Sequence, residues 1–262
     1  MKTLAIAGCG KLGAVVVKAL KMGFLPEYEL VATYSRTYES AVRLADEVEG
    51  CRPCSTIAEL LSVRPDYIVE AASPAAMKEL ALPALEAGIS IVTLSIGAFA
   101  DDDFYAEVSA MAMNSGARVY IASGATGGFD VLRTTALMGQ AYGGAQAEFF
   151  NEKGPNALRG TAVYDDSLQN ESKVVFKGTA SEAIAMFPTK VNVTVAASRA
   201  SVGPQNLNVT MRSTPGFVGD TQKVEIRNEQ VCAVVDVYSA TAEIAGWSAV
   251  AVLRNIVSPI VF

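Results

Sequence analysis

The chain has 262 residues, of which 51% are hydrophobic and 18% charged, a composition typical of a compact globular protein and not of a disordered one. Its net charge of -6 argues against nucleic acid and anionic membranes as partners, and no apolar run is long enough to span a bilayer. The sequence contains no histidine, which excludes any mechanism with an imidazole acid or base. We expect a cytoplasmic protein, since the first residues lead directly into a strand pattern without the features of a signal peptide.

The first predicted strand ends in a glycine motif typical of dinucleotide binding. An apolar run over 4–7 is followed by Gly8, Gly10 and Gly13, and then by a helical pattern over 14–22. In this spacing the first glycine turns the chain, the second lets the backbone approach a pyrophosphate, and the third lets helix and strand pack closely. The helix N-terminus then faces the phosphates. The predicted cofactor contacts of this turn are Gly8, Gly10, Lys11, Leu12 and Gly13.

The end of the second predicted strand, 29–34, indicates which dinucleotide binds. NAD-selective proteins place a carboxylate here to bond the ribose 2′-hydroxyl, but this chain reads Ser35, Arg36 and Thr37. The two hydroxyls can donate to a phosphate, and Arg36 can pair with its charge or stack on adenine. We predict that NADP(H) is preferred and that NAD(H) is a possible cofactor. The alternative is a surface arginine without a cofactor contact.

Alternating strand and helix patterns continue through the first half. Helices are predicted over 40–48, 56–61 and 75–87, and strands over 67–71, 89–94 and 118–122. Open parallel sheets place ligands at the carboxyl ends of their strands. The loops there hold three further predicted cofactor contacts: Ala72, Ser73 and Ser95.

Two clusters in this half have a functional and a structural interpretation. Cys51 and Cys54 have the spacing of a redox motif but follow a helix pattern, so we interpret them as free thiols in a surface loop. Asp101 to Asp103 could suggest a metal, but an acidic first helical turn explains them better. We predict no metal site, because the chain also has no histidine to complete a mixed cysteine–histidine zinc site.

The loop 123–130 is rich in glycine and small residues, which is typical of backbone lying against a flat ligand such as nicotinamide. Ala125 is therefore a predicted cofactor contact. Asp130 opens a predicted helix that extends to Leu137, and it either caps this helix or contacts the substrate.

From about residue 145 several strand patterns follow one another without long helices between them, which predicts a mainly antiparallel sheet. The fold class is therefore α/β, with a Rossmann domain over 1–122 and a second, α+β domain for substrate binding and dimerisation over 123–240. Residues 241–262 are expected to pack back on the first domain. The predicted strands are 146–150, 173–177, 207–212, 222–227 and 230–238, and the predicted helices are 179–187 with Glu182, 191–200 with Asn192, and 243–257.

Several blocks of the sequence resemble the L-aspartate dehydrogenase family over nearly the whole chain. They are Gly8–Gly13, Glu70–Ser73, Leu94–Asp101, Tyr120–Asp130, Lys177–Ala183 and Phe187–Val193. The resemblance implies an NAD(P)-dependent homodimer that interconverts L-aspartate and iminosuccinate, and hence oxaloacetate and ammonia.

The chain departs from the family pattern at two places. The family has an Asn-x-His motif whose histidine is the presumed acid–base residue, and the matching stretch here is Asp220-Thr221-Gln222. The family also has an Asn-Pro-Arg-Thr-Ser segment before the last helix, where this chain has Glu243 and no arginine. The first change removes a proton acceptor, since an amide cannot take a proton. The second favours a substrate without the side-chain carboxylate of aspartate, or a cationic one.

We therefore expect an NADPH-dependent reductase that acts on an imine, or on a carbonyl together with an amine, because a preformed iminium already carries its positive charge. Asn192 and Gln222 would hydrogen-bond the substrate, Lys153 would pair with a carboxylate or donate a proton, and Glu243 would contact the substrate. Two alternatives remain open: a true aspartate dehydrogenase that uses Lys153 or water in place of histidine, and a non-catalytic NADP(H)-binding sensor. The remaining candidates are Ser73, Ala125 and Asp130.

Overall fold

The structure, a computed structural model, describes residues 1–188 and 191–262 and divides into two compact units. Unit 1 comprises Met1–Gly124 and Glu243–Phe262, and unit 2 comprises Ala125–Ala242. Thr189 and Lys190, which belong to the Phe187–Val193 block, lie outside the described residues.

Unit 1 contains a six-stranded parallel sheet in the order β3-β2-β1-β4-β5-β6, which is the doubly wound order predicted by the glycine motif. Its strands are β1 Lys2–Ala7, β2 Tyr28–Tyr34, β3 Arg52–Cys54, β4 Tyr67–Glu70, β5 Ser90–Thr93 and β6 Val119–Ile121. Its helices are α1 Lys11–Lys21, α2 Tyr38–Ala45, α3 Ile57–Ser62, α4 Pro74–Glu86, α5 Asp102–Ser115 and α9 Glu243–Val257.

The central strands of unit 1 are apolar because helices cover both faces of the sheet. Leu4, Ile6 and Val69 are fully buried in its core. Helix α9 packs against α1, where a side chain at Gly246 would collide with Val15. Glycine at this position therefore lets the two helices approach closely.

Cys54 does not lie in a surface loop, and that part of the prediction is wrong. It ends β3, the edge strand that pairs with β2, and its side chain is fully buried. A three-residue strand that contains a proline gives no period-two pattern, so the sequence did not reveal it. Both Cys51 and Cys54 are free thiols, and burial raises the pKa of Cys51 to about 12, which disfavours the thiolate needed for redox chemistry.

Asp101 is the N-cap of α5, and its carboxylate accepts a hydrogen bond from the Phe104 backbone N–H at 3.2 Å. The aspartates at 101–103 thus begin a helix, as predicted.

Unit 2 contains a five-stranded mixed sheet in the order β11-β10-β7-β9-β8, in which three of the four pairings are antiparallel and β7–β9 is parallel. Its strands are β7 Gln146–Lys153, β8 Lys173–Thr179, β9 Leu207–Ser213, β10 Asp220–Arg227 and β11 Cys232–Ser239, and its helices are α6 Phe129–Ala141, α7 Ala180–Met186 and α8 Asn192–Arg199. Helix α6 extends four residues beyond its predicted end at Leu137.

One face of the second sheet is buried and packs against the helices of unit 2. Along β7 the side chains alternate between the two faces, so that Ala147, Phe149, Asn151 and Lys153 share the buried face. This face is apolar at one end and polar at the other, where β7 ends and β10 begins.

Glu182 completes the N-terminal cap of α7 together with Thr179, whose hydroxyl accepts from the Glu182 N–H while the Glu182 carboxylate accepts from the Thr179 N–H. No helix within residues 1–188 and 191–262 combines the length and the apolar character that a membrane crossing requires.

Candidate functional site

The turn between β1 and α1 has the close backbone packing that a dinucleotide site requires. Gly8 has a φ of +108°, and a side chain there would lie 2.5 Å from the backbone carbon of Ala71. A side chain at Gly13 would collide with the carbonyl oxygen of Gly8. At Gly10, in contrast, no atom lies within 4 Å of the point that a Cβ would occupy, so this residue borders open space.

The first amides of α1 are available to an anion. Gly10 is the N-cap of the helix and has no side chain to cap it, and the first turn carries no acidic residue. Lys11 is exposed at the first helical position, while Leu12 is half-buried against the core. Open amides, the positive end of the helix and a space beside Gly10 fit a pyrophosphate, so these residues could hold a dinucleotide.

The end of β2 joins this turn. The backbone N–H of Gly8 donates to the Tyr34 carbonyl at 2.8 Å, and the Cys9 thiol donates to the same oxygen at 3.3 Å. Burial raises the pKa of Cys9 to about 11, so it acts as a neutral packing group here. Ser35 is half-buried and Arg36 and Thr37 are exposed directly after Tyr34. Thr37 is the N-cap of α2, although its side chain makes no capping hydrogen bond.

The carboxyl ends of β4 and β5 are held together by Glu70, a residue that the sequence pattern did not single out as a contact. Its carboxylate is fully buried and accepts from the Ser95 hydroxyl at 2.8 Å and from the Ala72 N–H at 2.9 Å. Ser95 is itself buried, and Ser73 caps α4 by accepting from the Ala76 N–H. The side chains of both predicted serine contacts are thus engaged within the protein. A glutamate that ends an otherwise apolar strand was the signal that could have revealed this residue.

The glycine-rich loop leads from unit 1 into unit 2. Ala125 is half-buried and begins unit 2. Gly128 is the N-cap of α6 with a φ of +65°, and a side chain there would lie 2.5 Å from a Val235 methyl group. Asp130 lies in the first turn of α6 and is exposed, and it is not the N-cap residue. The favourable position of its charge at the helix N-terminus accounts for it in structural terms.

Four polar side chains meet at the polar end of the buried sheet face in unit 2: Asn151, Lys153, Asp220 and Gln222, hereafter the polar cluster. The β7–β10 register places Asp220 opposite Lys153 and Gln222 opposite Asn151. Lys153 is 6% exposed and Gln222 is 5% exposed, so both predicted residues are buried here. Asp220 and Asn151 were not selected from the sequence, because their role depends on the pairing of two distant strands.

The Asp220 carboxylate is the centre of the polar cluster. One oxygen accepts from the Asn151 amide at 2.6 Å and the other accepts from the Gln222 amide at 2.7 Å. The Lys153 ammonium lies 3.7 Å from the second oxygen, which is an ion pair but too long for a direct hydrogen bond. One of the two amide N–H groups of Gln222 is therefore committed to Asp220, and the lysine charge is compensated by a carboxylate.

Two buried polar atoms beside these groups have no hydrogen-bond partner in the described part of the chain: Asn151 Oδ1 and the Ser213 hydroxyl. Ser213 is the register neighbour of Lys153 on β9. An unpaired buried polar atom costs about 1–3 kcal/mol, a cost that a bound polar ligand can remove. This end of unit 2 therefore combines a cation, a carboxylate and two unpaired polar atoms.

The remaining predicted residues lie elsewhere in their units. Asn192 is the first residue of α8 and is half-buried. Glu243 is the first residue of α9 in unit 1 and is exposed.

Two concavities of unit 2 are separate from these groups. One of about 580 Å³ is lined by residues of α6, β7 and β9 and by the segment after α8, and one of about 840 Å³ lies on the sheet face opposite Lys153. The residues that line them belong to neither the polar cluster nor the glycine turn. Neither concavity therefore coincides with the candidate site residues.

Two different family models match the first and the second half of the chain. The family model described as the NAD binding domain of homoserine dehydrogenase matches residues 8–122, and the model described as the C-terminal part of aspartate dehydrogenase matches residues 133–256. An L-aspartate dehydrogenase of Methanococcus maripaludis (strain C6) is 33% identical over 213 residues, which cover 80% of this chain and 78% of that protein. Another, from Methanococcus maripaludis (strain C7), is 28% identical over 271 residues, which cover 99% and 98%.

Among solved structures, the aspartate dehydrogenase of Thermotoga maritima matches with a TM-score of 0.77 and 26% sequence identity, covering 100% of this chain and 99% of its own. The sequence and structure comparisons thus agree over both units.

The glycine turn generates a paired prediction. Gly10→Ala adds a methyl group to open space at an ordinary φ of -88°, so we expect thermal stability within about 0.5 kcal/mol of wild type but binding of NADPH weakened by at least about tenfold. Gly13→Ala forces the methyl group against the Gly8 carbonyl and should lower the stability itself by ~1–3 kcal/mol. Thermal unfolding and fluorescence titration with NADPH measure the two effects, and wild-type affinity in Gly10→Ala would contradict the assignment.

Proposed function

Because this chain belongs to the aspartate dehydrogenase family, we propose that it is an NAD(P)H-dependent oxidoreductase acting on the CH–NH2 or imine group of a small amino or imino acid, in the reductive direction. The observation that carries the proposal is the polar cluster, in which Gln222 donates to Asp220 in a chain without histidine. A bound nicotinamide dinucleotide supplies the hydride.

Reduction of a preformed iminium suits these residues better than oxidation of an amine. Oxidation requires a base that removes a proton from the ammonium and an activated water for the imine, and the amide of Gln222 supplies no base. An iminium carbon already carries the positive charge that attracts a hydride. Gln222 and Asn192 then only need to hold the substrate in position.

Lys153 is suited to two tasks in this reaction. Its buried ammonium can pair with the carboxylate of the substrate, since an ion pair away from water is stronger than an exposed one. It can also donate a proton where a carbonyl and an amine condense. Asp220 compensates its charge in the free protein and can accept a hydrogen bond from the substrate nitrogen.

Cofactor and substrate preferences extend the proposal. Arg36, Ser35 and Thr37 follow β2 where a carboxylate would select NAD, which supports a preference for NADP(H). Glu243 supports a substrate without a second carboxylate, or a cationic one. Asp130 and Ala125 remain candidate contacts on the loop before α6. The family resemblance also supports a homodimer, for which light scattering should give twice the mass of one chain.

A second candidate is a true L-aspartate dehydrogenase in which Lys153 replaces histidine. The ion pair between the buried Lys153 and the half-buried Asp220 favours it, because it places an ionisable group within the polar cluster. The related proteins of Methanococcus maripaludis carry the same activity in their names.

One experiment separates these functions. NADPH oxidation is measured with ammonia and a panel of oxo acids, and with preformed cyclic imines. Turnover of imines without oxaloacetate supports the reductase, and turnover of oxaloacetate supports the second candidate. Tight NADPH binding without turnover of any compound would overturn both and leave a cofactor-binding sensor.

Arg36 generates a prediction on cofactor choice. A charge-assisted hydrogen bond to phosphate contributes about 1.5–3 kcal/mol, so Arg36→Ala should weaken NADPH binding about 10- to 100-fold and change NADH binding less than about twofold. Arg43→Ala, an exposed arginine on α2, is the matched control and should change neither. Equal weakening of NADPH and NADH binding by Arg36→Ala would contradict a contact between Arg36 and the 2′-phosphate.

Lys153 generates a prediction on activity. Lys153→Met keeps the apolar stem and removes the charge, and it should lower kcat/KM for the active substrate about 100-fold. Lys177→Met on β8, an exposed lysine of the same sheet, should leave kcat/KM unchanged. Adding Asp220→Asn to Lys153→Met should recover any lost stability, because it removes the unpaired carboxylate, while activity stays low. Wild-type activity of Lys153→Met would contradict the assignment of Lys153 to the active site.

Gln222 generates a prediction on the second candidate activity. In Gln222→His an imidazole would stand beside the Asp220 carboxylate, an arrangement that supports general base catalysis. We expect aspartate-dependent reduction of NADP+ to rise about 100-fold or more. Gln230→His, an exposed glutamine of unit 2, is the control. If both variants behave alike, position 222 does not correspond to the histidine of the family.

A further inference from the structure

Glu70 is the one carboxylate of unit 1 that is wholly buried among the described residues, and the proposed chemistry does not use it. It ends β4, where the chain turns toward α4. One carboxylate oxygen accepts from the backbone N–H groups of Ala72 (2.9 Å) and Ser73 (3.2 Å) and from the Ser95 hydroxyl (2.8 Å). The other accepts from the Thr93 hydroxyl (2.7 Å) and the Ser95 N–H (3.2 Å).

These five donors are uncharged groups: two amides of the loop after β4, two groups of Ser95 in the loop after β5, and the hydroxyl of Thr93, the last residue of β5. Burial raises the pKa of Glu70 and the five hydrogen bonds oppose that shift, since each of them favours the ionised form. A carboxyl group so placed is expensive to bury, and an apolar side chain would fill the space at lower cost. The arrangement therefore serves to hold the two loops in one geometry.

The position of the two loops in the sheet indicates which half of the cofactor they bind. In a doubly wound sheet of this strand order, the first three strands bind one mononucleotide half of the ligand and the next three bind the other. The glycine turn and the end of β2 belong to the first half. The loops fixed by Glu70 lie at the carboxyl ends of β4 and β5, in the second half.

We propose that Glu70 is a positioning residue that fixes the two loops which bind the nicotinamide half of the cofactor. It touches neither the cofactor nor the substrate and acts through Ala72, Ser73 and Ser95. The proposal rests on the nicotinamide binding proposed above, and it makes binding of the nicotinamide half, but not of the adenosine half, depend on one buried carboxylate.

Glu70→Gln tests this because it keeps the shape and exchanges one acceptor oxygen for a donor. The amide group fits best on the side of Thr93, whose hydroxyl can rotate to accept, while its carbonyl keeps the bonds to Ala72 and Ser73. The Ser95 N–H then loses the Glu70 oxygen and keeps only its hydrogen bond to the Thr93 hydroxyl at 3.0 Å, a hydroxyl that the new amide also uses. The contact between Gly8 and the Ala71 backbone does not involve the Glu70 side chain and is expected to stay unchanged in Glu70→Gln. The loop after β5 should thus loosen while the glycine turn stays intact.

The readout compares two ligands by calorimetric titration. NADPH contains both halves, and 2′-phospho-ADP-ribose lacks the nicotinamide ring. Glu70→Gln should weaken NADPH binding about tenfold, equivalent to ~1.4 kcal/mol, and change 2′-phospho-ADP-ribose binding less than about twofold. If Glu70→Gln fails to fold, Thr93→Val removes one donor to the same carboxylate and should give a smaller loss with the same selectivity.

Asp66→Asn is the matched control. Asp66 precedes β4 and accepts from the Thr3 N–H at 2.7 Å, so it joins loop and strand at the opposite end of the same strand. Asp66→Asn should lower the stability of the protein and leave its affinities for NADPH and 2′-phospho-ADP-ribose unchanged. Equal weakening of both ligands by Glu70→Gln, or wild-type affinity for NADPH, would overturn the proposal. Absence of NADPH binding to the wild-type protein would instead overturn the proposed function.

Discussion

The backbone of Gly8 lies so close to that of Ala71 that no side chain fits between them. This contact joins the carboxyl end of β1 to the chain leaving β4, at the point where the order of the sheet reverses. The dinucleotide site proposed for unit 1 depends on it, because a side chain at position 8 would force the two backbones apart, and the uncapped N-terminus of α1 begins two residues later with open space beside Gly10. Glu70 fixes the other side of the same junction by holding the Ala72 and Ser73 amides.

Unit 2 depends on a balance of charge at one end of its sheet. Asp220 accepts from Asn151 and Gln222 and lies beside the Lys153 ammonium, so a buried lysine is compensated within the protein. In the function proposed above, the cation of this cluster pairs with the substrate carboxylate and Asp220 accepts from the substrate nitrogen. It lacks an imidazole, and this directs the proposed chemistry toward substrates whose nitrogen is already activated.

Much of the fold could be predicted because its signals are local. The glycine spacing predicted the parallel sheet, period-two alternation predicted the strands of unit 2, and the absence of long helices between those strands predicted their mainly antiparallel pairing. The three-residue strand at Cys54 was missed because it is too short and too irregular to give a pattern.

The site was predictable only in part. Lys153 and Gln222 were selected as single residues, but their common partner Asp220 emerges only from the register of β7 and β10, strands that lie about 70 residues apart in sequence. Glu70 was visible as a polar residue in an apolar strand, but its donors come from the loop after β4 and, more than twenty residues further on, from the end of β5 and the loop after it, and no local pattern encodes that.

The activity proposed for this chain is the delivery of a hydride to an activated carbon–nitrogen double bond without a proton-transferring histidine. A permanently charged N-methyl cyclic iminium gives the sharpest test, because its reduction needs no proton. We expect NADPH consumption with a kcat/KM that stays flat from about pH 6 to 9, because no imidazole titrates in that range. No consumption of NADPH with this compound, together with NADP+-dependent oxidation of L-aspartate, would contradict it.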